Sequence, residues 1–189
     1  GVDDMLFAAS ARGVDRLIKL NGDFESGVNN HAMARAIAPL IKEIQPDLVM
    51  TGVQAHNYLD GSLGTLLAEY LGIPYVGYVA GVKDQGNKVL IRKEYPGGLI
   101  AEMEVSLPAL LGIQAAEQPP RYVAISKVRQ AMKTAVIEEK DIDSLDTNGG
   151  LPIERMFLPE ATQRADMIEG NVDAIADKLV TIFKELGVL

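Results

Sequence analysis

The stretch TGVQAHNYLDGSLG, residues 51 to 64, gathers the residues best placed to do chemistry. An apolar run stops at Met50 and a helical pattern starts near Asp60 to Ser62, so backbone N–H groups and the positive end of a helix dipole converge on the loop between them. Gly52, Gly61 and Gly64 permit a close backbone approach, and Ser62 adds a hydroxyl. Such a loop suits an anion such as a phosphate. It suits equally a plain capped turn with Asp60 or Ser62 as N-cap, and the pattern leaves both readings open. The loop is not a P-loop, because no Gly-Lys-Ser/Thr follows, and its glycine spacing is not that of a dinucleotide fingerprint. His56, beside Asn57 and Tyr58, is a candidate general base, yet spacing places no carboxylate or nucleophile for it. His31 has apolar neighbours on a helical pattern, which points to a structural role. The acidic residues Glu138, Glu139, Asp141, Asp143 and Asp146 lack the alternation and central glycine of a calcium loop and read as a solvated charged run.

A strand must precede the loop and a helix must follow it. QPDLVMTG reads as the strand, GSLGTLLAEYLG as a helix closed by Gly72, and IPYVGYVAGV as the next strand. Upstream lie a short helical pattern at MLFAASARG, a buried strand at DRLIKL (15 to 20), and a helix at 29 to 44. In that helix Ala34, Ile37, Leu40, Ile41 and Ile44 recur at helical spacing, Asn29 or Asn30 is placed to cap, and Pro39 to kink. The alternation predicts βαβ units in a parallel sheet, whose ligands sit outside the carboxyl ends of the strands.

From 82 to 113 the turn signals DQGNK and YPGG separate alternating runs, which predicts a β-meander. PPRYVAI and a short helical pattern, SKVRQAMK, follow. From Glu138 to about Ile168 no steady period is visible. Leu145, Leu151, Ile153, Met156, Phe157 and Leu158 are too apolar for a solvated linker, and Pro152 and Pro159 keep the backbone extended, so this arm is expected to lie along another protein. NVDAIADKLVTIFKELG closes the chain as an amphipathic helix capped by Asn171. We divide the chain into an α/β nucleotide-binding domain, residues 1–125, and a docking segment, arm and terminal helix, residues 126–189.

A net charge of −8 argues against nucleic acid as the main partner, because that affinity is built from clustered Lys and Arg. With Cys 0, thiolate catalysis, disulfides and cysteine metal sites are excluded, and an intracellular address is favoured. His 2 leaves little for a histidine metal site. There is no apolar run near 18 residues and no charged-then-apolar leader, so neither a membrane span nor a signal peptide is expected.

Several pieces together resemble the β subunit of electron transfer flavoprotein: ARGVDRLIKL; PDLVMTGVQA with Gly64 ten residues after Gln54; LGIPYVGYV; VLIRKEYPGGLIAEMEVSLPALLGI; and PPRYVAISKVRQAMK. The fourth is similar to that family's signature, a basic residue before an acidic-Gly-Gly turn and a strand running into Leu-Pro-Ala. The resemblance implies a flavodoxin-like α/β domain related to adenine-nucleotide-binding folds, and a C-terminal extension that wraps an α subunit. It implies FAD held mainly by that α subunit, and a buried AMP, or a second FAD in bifurcating members. It also implies transient docking to a flavoprotein dehydrogenase of acyl-CoA type, in the cytoplasm or, in a eukaryote, the mitochondrial matrix.

Carried onto this chain, the family's nucleotide loop matches at Gln54, Ala55 and Gly64. Asn57, Tyr58 and Leu59 stand in place of its acidic run, and Ser62 and Leu63 in place of its Gln and Thr or Val. The resemblance thus implies nucleotide contacts at Gly52, Gln54, Ala55, Tyr58, Gly61, Ser62, Leu63 and Gly64, made largely by backbone N–H groups. Arg121 and Tyr122 match the motif before the family's dehydrogenase anchor, Ile125 takes the anchor position, and Val128 and Met132 are further apolar contacts. The family also has a strand, a long loop and a helix ahead of the point matching GVDDML, the strand being central in the sheet. We therefore expect this chain to be processed or incomplete, or another segment to take that place. The function expected is an electron carrier subunit with no catalytic residue of its own. Its rivals are a stand-alone adenine-nucleotide-binding regulator of the universal-stress-protein kind and an enzyme using His56 and Asp60.

Overall fold

The helix α2, Asn30–Ile44, begins where Asn29, one of the two caps the sequence offers, leaves the extended region and its Oδ1 accepts the Ala32 N–H at 2.9 Å. Pro39 lies inside it, and Gln45 closes it in the left-handed region at φ 52°. The computed structural model describes residues 1–23, 29–55, 60–142, 145–150, 155, 157–158 and 165–189. Two units are distinguished, Gly1–Ile153 and Glu154–Leu189.

In the first unit the elements run α1 Val2–Ser10, β1 Leu17–Asn21, α2, β2 Leu48–Gly52, α3 Leu63–Leu71, β3 Tyr75–Asp84, β4 Lys88–Tyr95, β5 Leu99–Ser106, β6 Ala109–Ile113, α4 Ile125–Thr134 and β7 Ile137–Asp141. The main sheet has the order β2-β6-β3-β4-β5. Strands β2, β6 and β3 are parallel, while β3, β4 and β5 pair antiparallel, so the fold is α/β with a mixed sheet. Two hydrophobic clusters form on it. Ala34, Ala38, Leu67, Ala68 and Leu110 join α2 and α3 to the parallel strands. Val79, Val89, Ile91, Val105, Ala109 and Leu111 form the other. Consecutive β6 residues thus enter opposite clusters, as they must in a strand covered on both faces.

Two expectations are corrected. The stretch from 82 to 113 is not one meander: only β3, β4 and β5 form it, and β6 crosses back to lie between β2 and β3. ALLGI is apolar throughout rather than alternating, the pattern of a central strand. The stretch from Glu138 is also not aperiodic at its start, because Ile137–Asp141 pairs in parallel with β1 in a separate two-stranded sheet. Charge pairs bind the two strands across more than a hundred residues of sequence. Arg16 donates from Nε and Nη2 to the two oxygens of Glu138, each at 2.7 Å, and Lys19 lies 3.5 Å from Glu139. The Arg16 guanidinium holds the Glu138 carboxyl below the ordinary glutamate range.

The chain beyond β7 is also gripped. Arg35 Nη2 donates to the carbonyls of Asp146, at 2.6 Å, and of Asn148. Its Nε lies 3.3 Å from Asp146 Oδ2 as an ion pair, out of hydrogen-bond alignment. Asn29 Nδ2 donates to the carbonyls of Thr147 and Gly149 at 3.0 and 2.8 Å. Gly149 and Gly150, at φ +87° and +77°, lie against the His31 ring, where a Cβ on Gly150 would stand 3.2 Å from the imidazole. The first turns of α2 therefore clasp residues 146 to 150, with the His31 ring packed against the two glycines.

In the second unit α5 spans Val172–Glu185, with Asn171 Oδ1 accepting the Ala174 N–H at 2.9 Å. None of its residues is buried, although Ile175, Leu179, Ile182 and Phe183 form one stripe. The apolar arm residues Leu151, Ile153 and Met156, and Pro152 and Pro159, lie outside the described residues, as does Asp143. Phe157 and Leu158 are described and exposed. Among the described residues no helix is long and apolar enough to cross a membrane.

Candidate functional site

The loop between β2 and α3 opens at the carboxyl end of a parallel strand, where α/β sheets bind their ligands. Gly52, the last residue of β2, has open space where a Cβ would be, so packing does not demand glycine there. Gly61 is different. Its φ is +61° and a Cβ would lie 2.9 Å from the Val53 carbonyl oxygen, so backbone and space both require glycine. Gly64 lets the first turn of α3 settle on the sheet, because a Cβ there would be 2.9 Å from both Thr51 Oγ1 and Tyr75 Cε2. Leu63 packs into the cluster beneath α3. Gln54 and Ala55 are exposed at the strand's exit. Tyr58 and His56 lie outside the described residues. The other seven predicted contacts are brought to one end of β2.

The polar groups there do not act as a simple cap. Ser62 stands at the N-cap position of α3 but its side chain caps nothing. Asp60 instead accepts from Ser62, through Oδ1 from the backbone N–H at 3.4 Å and through Oδ2 from Oγ at 3.0 Å. Asn30 Nδ2, in a residue only 5% exposed, donates to Asp60 Oδ1. Beneath the loop Thr51 Oγ1 is buried with no hydrogen-bond partner among the described residues, a costly state that a polar ligand would relieve. Sequence reading missed Asn30 as a partner of Asp60 and missed Thr51. The doubled Asn29-Asn30 was the only signal for the first.

An adenine nucleotide can be tested against this set. Open backbone at Gly52, an unsatisfied Thr51 hydroxyl and the start of α3 suit the uncharged polar edge of such a ligand. A carboxylate bonded to Ser62 does not suit its phosphate.

A second place concerns recognition. On α4, Ala131 is buried, and the helix packs against α1. Ile125 and Met132, two turns apart, remain 68% and 51% exposed, and Val128 is half-buried between the two environments. Tyr122 is 89% exposed, while Arg121 Nη2 reaches the Arg12 carbonyl at 3.4 Å. Sequence reading did not single out Tyr78, whose φ of +59° is rare for a non-glycine residue. It sits at a break in the β3–β6 register, and Lys93 Nζ lies 5.7 Å from its ring and 5.3 Å from that of Tyr95.

Residues 2–145 match the electron transfer flavoprotein domain. The chain is 33% identical to the electron transfer flavoprotein subunit beta of Methylophilus methylotrophus, over 97% of its own length and 73% of that protein's. It is 30% identical to the subunit beta of Clostridium acetobutylicum, over 95% and 72%. It is 28% identical to the caffeyl-CoA reductase-Etf complex subunit CarD of Acetobacterium woodii, over 98% and 74%. The matched domain takes in most of the chain, and relatives at 30% identity or more cover over nine-tenths of it, so the chain belongs to the electron transfer flavoprotein family, among its β subunits.

Proposed function

We propose that the chain works as one half of a heterodimer whose α subunit holds most of the FAD, and that it serves a flavoprotein dehydrogenase of acyl-CoA type. The carrying observation is α5, an amphipathic helix of 14 residues with no buried residue, since an apolar stripe left uncovered marks a surface for a partner. FAD supplies the electron-carrying chemistry when bound. The contribution of this chain is to bind, cover and position. Residues 126–189 hold the surfaces for other proteins, α4 for the dehydrogenase and the arm with α5 for the α subunit.

At the end of β2 the chain takes an adenine nucleotide, AMP or the corresponding part of a second FAD, against Gly52, Gln54, Ala55 and the start of α3. Tyr58 is proposed with them on the loop match alone. Ile125 is the anchor of the docking helix, supported by its exposure and by Met132 on the same side. An apolar side chain on a short helix gives an association that is specific yet brief, which a carrier shuttling between donor and acceptor requires. No catalytic residue is assigned.

Co-expression with a candidate α subunit tests this reading. A yellow complex of the two chains, with an adenine nucleotide released on denaturation, is the expected result. A colourless single chain that ignores the α subunit would contradict it.

A further inference from the structure

We propose that α4 guides its partner as well as tethering it: Arg129 and Lys133, in line with Ile125, meet carboxylates that rim the apolar pocket of the dehydrogenase and draw the two proteins together. The inference rests on the docking role proposed for α4 above and names the chemistry of the surface it meets.

The charge pattern lies in the sequence. Between Glu117 and Glu138 stand Arg121, Lys127, Arg129 and Lys133 and no carboxylate, on a chain whose net charge is −8. Arg16, Lys88, Arg92 and Lys140 each have a carboxylate partner within the chain, in Glu138, Glu104, Glu117 and Glu43. Lys127, Arg129 and Lys133 have no ion pair among the described residues, and all three are exposed.

The fold turns that pattern into a face. Buried Ala131 marks the side of α4 that packs on its own domain. Ile125, Arg129 and Lys133 recur every four residues, which sets them in one line along the helix away from Ala131. With Ser126 and Gln130 they line a shallow recess of about 490 Å³, and exposed Met132 flanks Ile125. Lys127 lies off this line. Lys133, in the last turn, also suits the negative end of its own helix; Arg129, in the middle, gains nothing from it.

An apolar anchor and two unpaired cations thus share one recess, and the group that answers both is an apolar pocket edged with carboxylates. On an acidic chain a basic face around the anchor selects where an acidic surface lands. Such attraction raises the rate of encounter without prolonging the stay, as a brief association requires. Anionic lipid would suit the cations but not the helix, because ten residues with Ile125 and Met132 as exposed apolar side chains bury too little to hold a bilayer surface.

The test is stopped-flow reduction of the flavin-loaded heterodimer by an acyl-CoA dehydrogenase, read as a second-order rate against salt. The double reversal Arg129→Glu, Lys133→Glu is expected to lower the rate roughly tenfold at low salt. The deficit is expected to close near about 0.5 M salt, where charges are screened beyond about 4 Å. Arg129→Gln with Lys133→Gln is expected to fall between parent and reversal at the parent's flavin content, which separates charge from a folding defect. Ile125→Ala is expected to slow the reaction by a factor that salt does not change. Charge variants that match or exceed the parent at every salt, while Ile125→Ala remains slow, overturn the acidic rim and leave the docking helix standing. A rate that none of these substitutions alters overturns the docking role and this inference with it. Vesicles of anionic phospholipid are expected not to retain the heterodimer; retention that the double reversal abolishes overturns the inference in favour of a lipid surface.

Discussion

Gly61 shows how a single residue of the loop is fixed by physics that the sequence displays only in part. Its type was legible as a turn residue; its necessity comes from a positive φ and from the Val53 carbonyl 2.9 Å from where a Cβ would be. Gly61→Ala is therefore expected to destabilise the fold by about 1–3 kcal/mol, read as a lower urea midpoint. Gly52, with open space around it, is expected to tolerate alanine within about 0.5 kcal/mol in the same assay. His56 was the candidate of the enzyme reading. His56→Ala in the assembled complex is expected to leave electron transfer within about twofold of the parent, whereas a loss of a hundredfold or more would restore general-base chemistry. The Asn30–Asp60 bond was invisible to any local reading, because its partners are thirty residues apart and meet only when α2 and α3 are packed.

Among the elements, those with strong local signals were read correctly: α2 with its Asn29 cap, α3 with its Gly72 stop, and the β4–β5 hairpin with its YPGG turn. β6 and β7 were misread for physical reasons. A central strand such as β6 carries no alternation, and the turn before it resembles another hairpin. β7, with the sequence IEEKD, looks like solvated charge until Arg16, Lys19 and Asn21 of the distant β1 edge are set opposite it. Leu110, fully buried beneath α2 and α3, is expected to cost about 2–5 kcal/mol on replacement by alanine. The clasp on residues 146 to 150 depends on a fork that lysine lacks. Arg35→Lys is expected to speed hydrogen exchange of those amides roughly tenfold, with the main sheet unaffected. Acid acts on the same elements with a definite sign. The Asp146 carboxyl is held below the ordinary range, first by the Asn148 backbone N–H, and Glu138 by Arg16. Their contribution is complete above the unfolded carboxylate range and is lost as pH falls through the lowered folded values, so protection of 145 to 150 and of β7 should decline together in acid.

For the whole molecule, the family match decides between a carrier subunit and a stand-alone regulator in favour of the first. The arm was expected from composition alone, apolar yet aperiodic, and most of its apolar residues lie outside the described ones, whereas α5 was legible by its stripe. On the proposed function, the exposed Ile125 would meet the dehydrogenase rather than the α subunit. Ile125→Asp is expected to slow electron uptake from the dehydrogenase tenfold or more while flavin content stays unchanged, and loss of flavin in that variant would place Ile125 in the wrong interface. The claim beneath all of this is that the chain is completed by a second polypeptide. Its most direct measurement is the mass and visible spectrum of the chain purified with its α subunit, by size-exclusion chromatography with light scattering. The account predicts a one-to-one complex carrying a flavin spectrum, broken by deletion of residues 171–189; two separate peaks, with all the flavin in neither or in the α subunit alone, would contradict it.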